Sequence, residues 1–224
     1  MQGLAIGLPI LAGLVGYLIT YYYGWRIEQK KANLQLIDDK LQYLYGPLFA
    51  LTTASDQAIG SLRRRLGREY IVDPKIKSYP KKDILLYRLW MVEILMPLNL
   101  KMEEIIVSNT HLIEGPNLPQ PFLLFLAHIE TYKAVIKQWD TDTVSEETEL
   151  EELMANNTAL IPYPQEYPKL VRNTFKELKK TQSEMIGAAS LRLRPLSIFG
   201  GSNRRSRSAL RKDRPSRAGR GRVP

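Results

Sequence analysis

The chain has 224 residues, no cysteine, 32 Lys and Arg against 23 Asp and Glu, and a hydrophobic share of 44%. That is long enough to bury a hydrophobic core without covalent staples, and it excludes disulfides, thiolate nucleophiles and cysteine-based metal sites. The net charge of +9 is not spread evenly: residues 191–224 hold ten Arg, one Lys and one Asp, so residues 1–190 are left at −1 and any polyanion affinity belongs to the tail.

Residues 3–23, "GLAIGLPILAGLVGYLITYYY", are 21 consecutive residues without a charge. As a helix rising ~1.5 Å per residue they span ~30 Å, the thickness of a bilayer's hydrocarbon core. Tyr21, Tyr22, Tyr23 and Trp25 follow as aromatic markers of a membrane-water interface, then Arg26, Lys30 and Lys31 as cations on one side only. The expectation is a transmembrane anchor over 1–25, with the amino terminus outside and the remainder cytoplasmic at an inner or plasma membrane. A signal peptide would need a cationic start and a small-residue cleavage site, and the run has neither. Ala12, Gly16, Thr20 and Gly24 recur every fourth residue and predict a ridge at which a second helix can pack.

Leu34, Ile37, Leu41, Leu44, Leu48 and Leu51 then alternate spacings of three and four, a coiled-coil-like seven-residue repeat that continues through Ser55, Ala58 and Leu62. The phase survives "LYGPLFAL", so Gly46 and Pro47 predict a bend in one continuing helix, ending near Gly67. A second helix is expected from Pro80 to about Asn109, bent at Pro97. A third covers "FLLFLAHIETYKAVIKQWD" with Leu123, Leu126, Ile129, Tyr132 or Lys133, Ile136 and Trp139 on its apolar face, and a fourth follows "IPYPQEYP". No segment alternates as a half-buried strand does. The fold class expected is all-α: a membrane helix continuing into a cytoplasmic bundle of about four helices over 26–190.

Chemistry-bearing motifs are sparse. Neither His111 nor His128 has a Glu three residues before it, and no phosphate-cradling glycine loop or Gly-x-Ser-x-Gly occurs, so no catalytic residue, metal or cofactor is implied. His111 is expected to be exposed and His128 to be an ordinary polar-face residue. The seven carboxylates of 140–152 lack the glycine of a calcium loop and read as a solvated linker, or as a contact for the cationic tail.

The tail over 191–224 is too polar to offset its chain entropy by burial and is expected to be disordered. Arg204, Arg205, Arg207, Arg211, Lys212, Arg214, Arg217, Arg220 and Arg222 suit anionic lipid head groups or, through "RAGRGR", nucleic acid. With no aromatic residue after Phe199 for base stacking, lipid is the favoured expectation.

"LQLIDDKLQYLYGPLFALTTASDQA", soon after a membrane helix and a few cations, resembles a group of uncharacterised bacterial single-pass membrane proteins with a Tyr-Gly-Pro-Leu motif at this position. The resemblance implies the same layout of anchor plus helices and brings no activity, cofactor or site residue. The residues themselves point to a membrane-anchored, non-enzymatic interaction or scaffolding module with a protein partner. A tethered nucleic-acid binder, or an enzyme with an unrecognised site, are the alternatives.

Overall fold

The computed structural model describes the backbone of residues 3–73 and 75–192, and side chains over 13–73 and 75–187. The molecule is 77% helix and 3% strand, an all-α architecture. Helix α1 (Gly3–Asp39) passes through a π-helical turn (Lys40–Tyr45) into α2 (Gly46–Leu66) with no loop between them. Helix α3 (Lys81–Trp90) passes through a second π-helical turn (Met91–Leu95) into α4 (Met96–Ser108) in the same way. A short 3-10 turn, Thr110–Leu112, then leads toward α5 (Gln120–Gln138), followed by α6 (Leu150–Asn157) and α7 (Glu166–Arg192).

Both π turns precede a proline. A proline in an α-helix lacks the N–H for its i−4 carbonyl and its ring crowds that carbonyl. Here the ladder widens just upstream: Gly46 N–H donates to Leu41 O and Met96 N–H to Met91 O, each five residues back, and Pro47 and Pro97 open the following helices. The helix therefore carries on through "YGPL", accommodated by one wide turn. A Cβ added to Gly46 would lie 2.2 Å from Leu41 O, so the wide turn has room for glycine there. Helix α2 stops at Gly67, whose φ of 66° lets its N–H reach Arg64 O at 3.2 Å while Arg68 N–H reaches Arg63 O at 3.1 Å.

Cross-contacts set the four helical arms antiparallel in sequence. Thr52 meets Met102, Lys133 meets Glu103, Phe125 stacks on Tyr167, and Arg172 pairs with Asp56. Leu44, Leu48, Leu95, Met102, Ile106, Phe122, Phe125, Ile129, Tyr167 and Val171 fill the space between them. The seven-residue repeat of the first arm is the face turned inward: Leu44, Leu48, Ser55 and Leu62 are buried, and Leu34, Ile37, Leu41, Leu51 and Ala58 are half-buried.

Three expectations are corrected. On α5 the buried face is Phe122, Phe125, His128, Ile129, Tyr132 and Val135, while Leu123 is 46% exposed. "FLLFL" is apolar on every side, so periodicity could not choose a face; the parallel stack of Phe125 on Tyr167, with centroids 4.0 Å apart, does. Secondly, two three-residue strands exist, β1 (Ser78–Pro80) and β2 (Glu147–Glu149), paired antiparallel with Tyr79 opposite Thr148. They are too short for an alternation to register, and Tyr79 with Ile84 and Leu153 forms a small second core beneath them. Thirdly, 140–152 is not simply a solvated linker: it contains β2 and the start of α6, Asp142 pairs with Arg88, and Glu146 with Lys81.

Among the described residues no helix is both long and apolar enough to cross a membrane, so no described helix by itself supports the expected span. Within the described side chains, α1 offers only Gly13 to Trp25 before its first charge at Arg26. The side chains of residues 1–12, Ala12 included, and the whole tail from residue 193 lie outside the described residues.

Candidate functional site: an uncovered stem and the recesses of the bundle

The first part of α1 stands clear of the bundle. Leu14, Val15, Leu18, Ile19, Tyr21, Tyr22, Tyr23, Trp25 and Ile27 are each between 48% and 65% exposed, the range of side chains on a helix with no neighbour. Their positions step all round the helix and do not form one stripe. Gly16 and Gly24 have no atom within 4 Å of an added Cβ, and Thr20 Oγ1 donates back to Gly16 O at 2.9 Å, so no other segment of the described chain packs on the small-residue ridge.

The aromatic and cationic flank is assembled locally by helical spacing. Arg26 Nε and Nη2 both donate to the Tyr22 hydroxyl, at 2.9 and 2.7 Å, with the guanidinium 5.2 Å from that ring's centroid. Tyr22 also meets Tyr23 edge-on and Trp25 obliquely, while Tyr17 stacks on Tyr21. Lys31 pairs with Glu28 at 3.2 Å, and Lys30 is exposed. The sequence-selected residues Tyr21, Tyr22, Tyr23, Trp25, Arg26, Lys30 and Lys31 thus share one exposed stretch of helix. Gly46 and Pro47 belong to the π junction inside the bundle, and the tail cations lie outside the described residues.

Inside the bundle, polar groups are engaged in fastening elements together. Arg88, buried on α3, donates Nε to Asn157 Oδ1 at 2.7 Å, pairs with Asp142 and lies 5.1 Å from the Trp139 ring centroid. The Tyr87 hydroxyl bonds the Tyr132 hydroxyl, which donates to Asn157 O at 2.8 Å, and Trp139 Nε1 donates to Asn156 O at 2.8 Å. Burial pushes both tyrosine hydroxyls well above their ordinary pKa, so they stay protonated and can donate. This web ties the end of α6 to α3 and α5.

His128 is corrected from polar face to buried core. Its ring meets Tyr132 and Tyr163 edge-on at 5.5 Å, and Nδ1 donates to Ile161 O at 2.7 Å. Burial lowers its pKa, partly opposed by that carbonyl. His111 is exposed at the end of the α4 arm, as expected. Sequence reasoning overlooked Lys40, which is buried in the first π turn and pairs with Glu114 across the base of the bundle. Its signal was available, since Lys40 sits between Ile37 and Leu44 on the inward seam.

Several recesses open beside these groups, among them one of about 850 Å³ lined by Tyr87, His128, Tyr132 and Tyr163, and two that lie at opposite ends of the bundle. One, of about 340 Å³, is lined by Lys40, Tyr45, Glu114, Glu177 and Thr181 on the stem side. The other is a groove of about 520 Å³ at the opposite end, between α3 and the loop after α5, where Leu85, Leu89 and Val92 face Trp139 and Val144. Among the described residues no group of three His, Asp or Glu side chains could hold a metal. Comparison with protein-family models, with curated proteins and with solved structures finds no match.

Proposed function

We propose that the chain is a membrane-anchored helical interaction module, a binding or scaffolding protein rather than an enzyme, seated in an inner or plasma membrane with its bundle on the cytoplasmic side. The observation that carries this reading is the stem of α1. A helix apolar on all sides and covered by nothing among the described residues of its own chain is unstable in water, because each large side chain left exposed forgoes ~1.5–3 kcal/mol of burial. A bilayer removes that cost. The charge-free run continues upstream through residues 3–12, and the aromatic and cationic residues mark where the helix leaves the hydrocarbon.

The interaction half of the reading is supported by the use already made of the buried polar groups. Arg88, Asp142, Asn157, Tyr87, Tyr132 and His128 hold elements to one another, which is the work of a rigid platform. The outward residues Leu85, Leu89 and Val92 offer an apolar strip for a protein partner, on the end of the bundle remote from the stem.

Three measurements test this. Alkaline carbonate should leave the full chain in the membrane pellet and should release a Leu14→Arg, Ile19→Arg variant; release of the unaltered chain defeats the anchor. Protease added outside intact cells should spare the bundle, and cleavage within α2 to α7 from that side reverses the orientation. For the partner, a photo-crosslinking residue at Leu89 should give discrete adducts that one at Lys101, on the exposed side of α4, does not.

A further inference from the structure

The direction of α7 fixes where the chain leaves the bundle. Arg172 pairs with Asp56, Phe175 stacks on Phe49 with centroids 4.4 Å apart, and Gln182 Nε2 donates to Asp38 Oδ1 at 2.6 Å. The partner's number falls as the α7 number rises, so each further turn of α7 descends along the first arm toward the stem. Beyond Gln182 the helix continues to Arg192, ~15 Å at ~1.5 Å per residue. The same distance back along α1 from Asp38 reaches Glu28, less than one turn from Trp25 and Arg26. The described backbone thus ends level with the stem's aromatic and cationic flank. It ends far from the acidic segment 140–152, which sits by the β1–β2 ribbon at the other end of the first arm and whose Asp142 and Glu146 already pair with Arg88 and Lys81.

Past Arg192 the sequence adds nine Arg, one Lys and one Asp. We propose that this end of the molecule is an anionic-lipid binding surface: Arg26, Lys30 and Lys31 together with the Arg-rich segment that α7 delivers bind head groups of the same leaflet that α1 enters. The proposal rests on the anchor reading. Its physics is proximity. Interaction with a charged leaflet decays within a Debye length, ~8–10 Å at ordinary ionic strength, so the height at which α7 ends, level with Arg26, is what brings a leaflet within reach of the charges that follow in sequence. Seating of α1 makes the second contact intramolecular, which raises the effective lipid concentration at the tail without any new contact. A tail launched from the other end of the bundle would have neither advantage. The register of α7 against α1 thus favours lipid, where the charge run alone leaves lipid and RNA open.

The absence of native cysteine makes the test direct, because one introduced thiol is labelled uniquely. The full chain carrying Ser216→Cys and a fluorophore is placed in nanodiscs of phosphatidylcholine alone or with phosphatidylserine, the discs bearing a head-group acceptor. Energy transfer should be strong in phosphatidylserine discs, weak in neutral ones, and lost as salt is raised. Replacing Arg204, Arg205 and Arg207 with Gln should weaken the tail's association with the discs about fivefold per charge removed. A label at Thr143→Cys, in the acidic segment, should give little transfer in either disc. Equal transfer from Ser216 in neutral and anionic discs overturns the proposal, as does transfer from Thr143 matching that from Ser216. Single-stranded RNA that strips the tail from phosphatidylserine discs at stoichiometric amounts overturns it in favour of nucleic acid. Failure of the chain to enter discs at all is seen at the incorporation step and removes the anchor reading, and this one with it.

Discussion

Two stretches of one unbroken rod, Leu14 to Ile27 and Leu44 to Leu62, both carry apolar side chains, more densely in the first, and treat them in opposite ways. In the second, Leu44, Leu48 and Leu62 are wholly buried while the intervening Thr53, Asp56 and Gln57 are exposed, one stripe against one core. In the first, no side chain is buried and no polar stripe exists; apolar residues point in every direction and, among the described residues, meet only neighbours on the same helix. A stripe is what a helix needs when its partner is protein on one side and water on the other. An all-round apolar surface is what it needs when the partner is a solvent, and on the anchor reading proposed above that solvent is hydrocarbon. The two halves differ less in composition than in which neighbour their pattern presupposes.

That contrast is broken most severely in the core. Phe125→Ala removes a fully buried ring stacked on Tyr167 and should cost about 3–5 kcal/mol of bundle stability. Leu18→Ala, deleting a similar apolar mass from the stem, should leave the bundle's thermal midpoint in detergent unchanged. Calorimetry on the two variants reads the difference directly, and a comparable loss from Leu18→Ala would mean that the stem packs on the bundle after all. Arg88→Met should come next, at about 2–3 kcal/mol, because it strands Asn157 Oδ1 in the interior and takes the ion pair from Asp142. Asp142 is one third exposed and can be rehydrated, which holds the cost below that of a fully buried pair. Hydrogen exchange should rise first in α6, the element this web fastens.

The glycines of the first arm sharpen the comparison by sign. At Gly46 a new methyl group meets Leu41 O, so Gly46→Ala should destabilise by about 1–2 kcal/mol as the π turn is forced to shift. At Gly60, where the nearest atom is Arg64 Nη1 at 3.8 Å, the same change relieves chain entropy in a helix interior and should stabilise by about 0.4–1 kcal/mol. Urea unfolding of the pair separates the two effects; stabilisation by both would remove any special role for the wide turn.

How much of this was written in the sequence depends on how local each determinant is. That Tyr21 to Lys31 share one uninterrupted stretch of helix was legible because no breaker falls within that short segment, while the interfacial role of its aromatic and cationic residues belongs to the proposal above. The continuity of α1 into α2 was legible in the unbroken phase of Leu44 and Leu48 across Gly46. The π turns were not, since nothing distinguishes a wide turn from a bend until the carbonyl that Pro47 would strike is placed. Nor was the inward face of α5, where Phe122 and Leu123 are equally apolar and only Tyr167, some forty residues on, breaks the tie. The β1–β2 ribbon and the Arg88 web depend on partners ~55–70 residues away in sequence, beyond any local pattern.

His128 is the clearest case of a residue whose character is set by distant neighbours, and it gives the smallest of the expected effects. On α5 alone it is a polar residue among leucines; against Tyr163 and Ile161 O it becomes a buried ring held neutral, its pKa pushed below the ordinary value of 6.5 by desolvation. Above that pH neither folded nor unfolded chain protonates it, and the ring contributes its full packing. As pH falls, the unfolded chain takes up the proton first, so stability is lost progressively from ~6.5 down to the depressed folded value and then levels off. Carboxylates do not obscure this window: Glu114 and Glu130 are held low by Lys40 and Lys133, and their contributions are present above the ordinary 4.5 and decline only below it. The test is the slope of unfolding free energy against pH over roughly 5 to 7 in the unaltered bundle and in His128→Gln, which keeps a donor for Ile161 O and cannot titrate. The difference between the two slopes isolates His128. A flat difference would place His128 in contact with water in solution, and the aromatic cage around it would then be open.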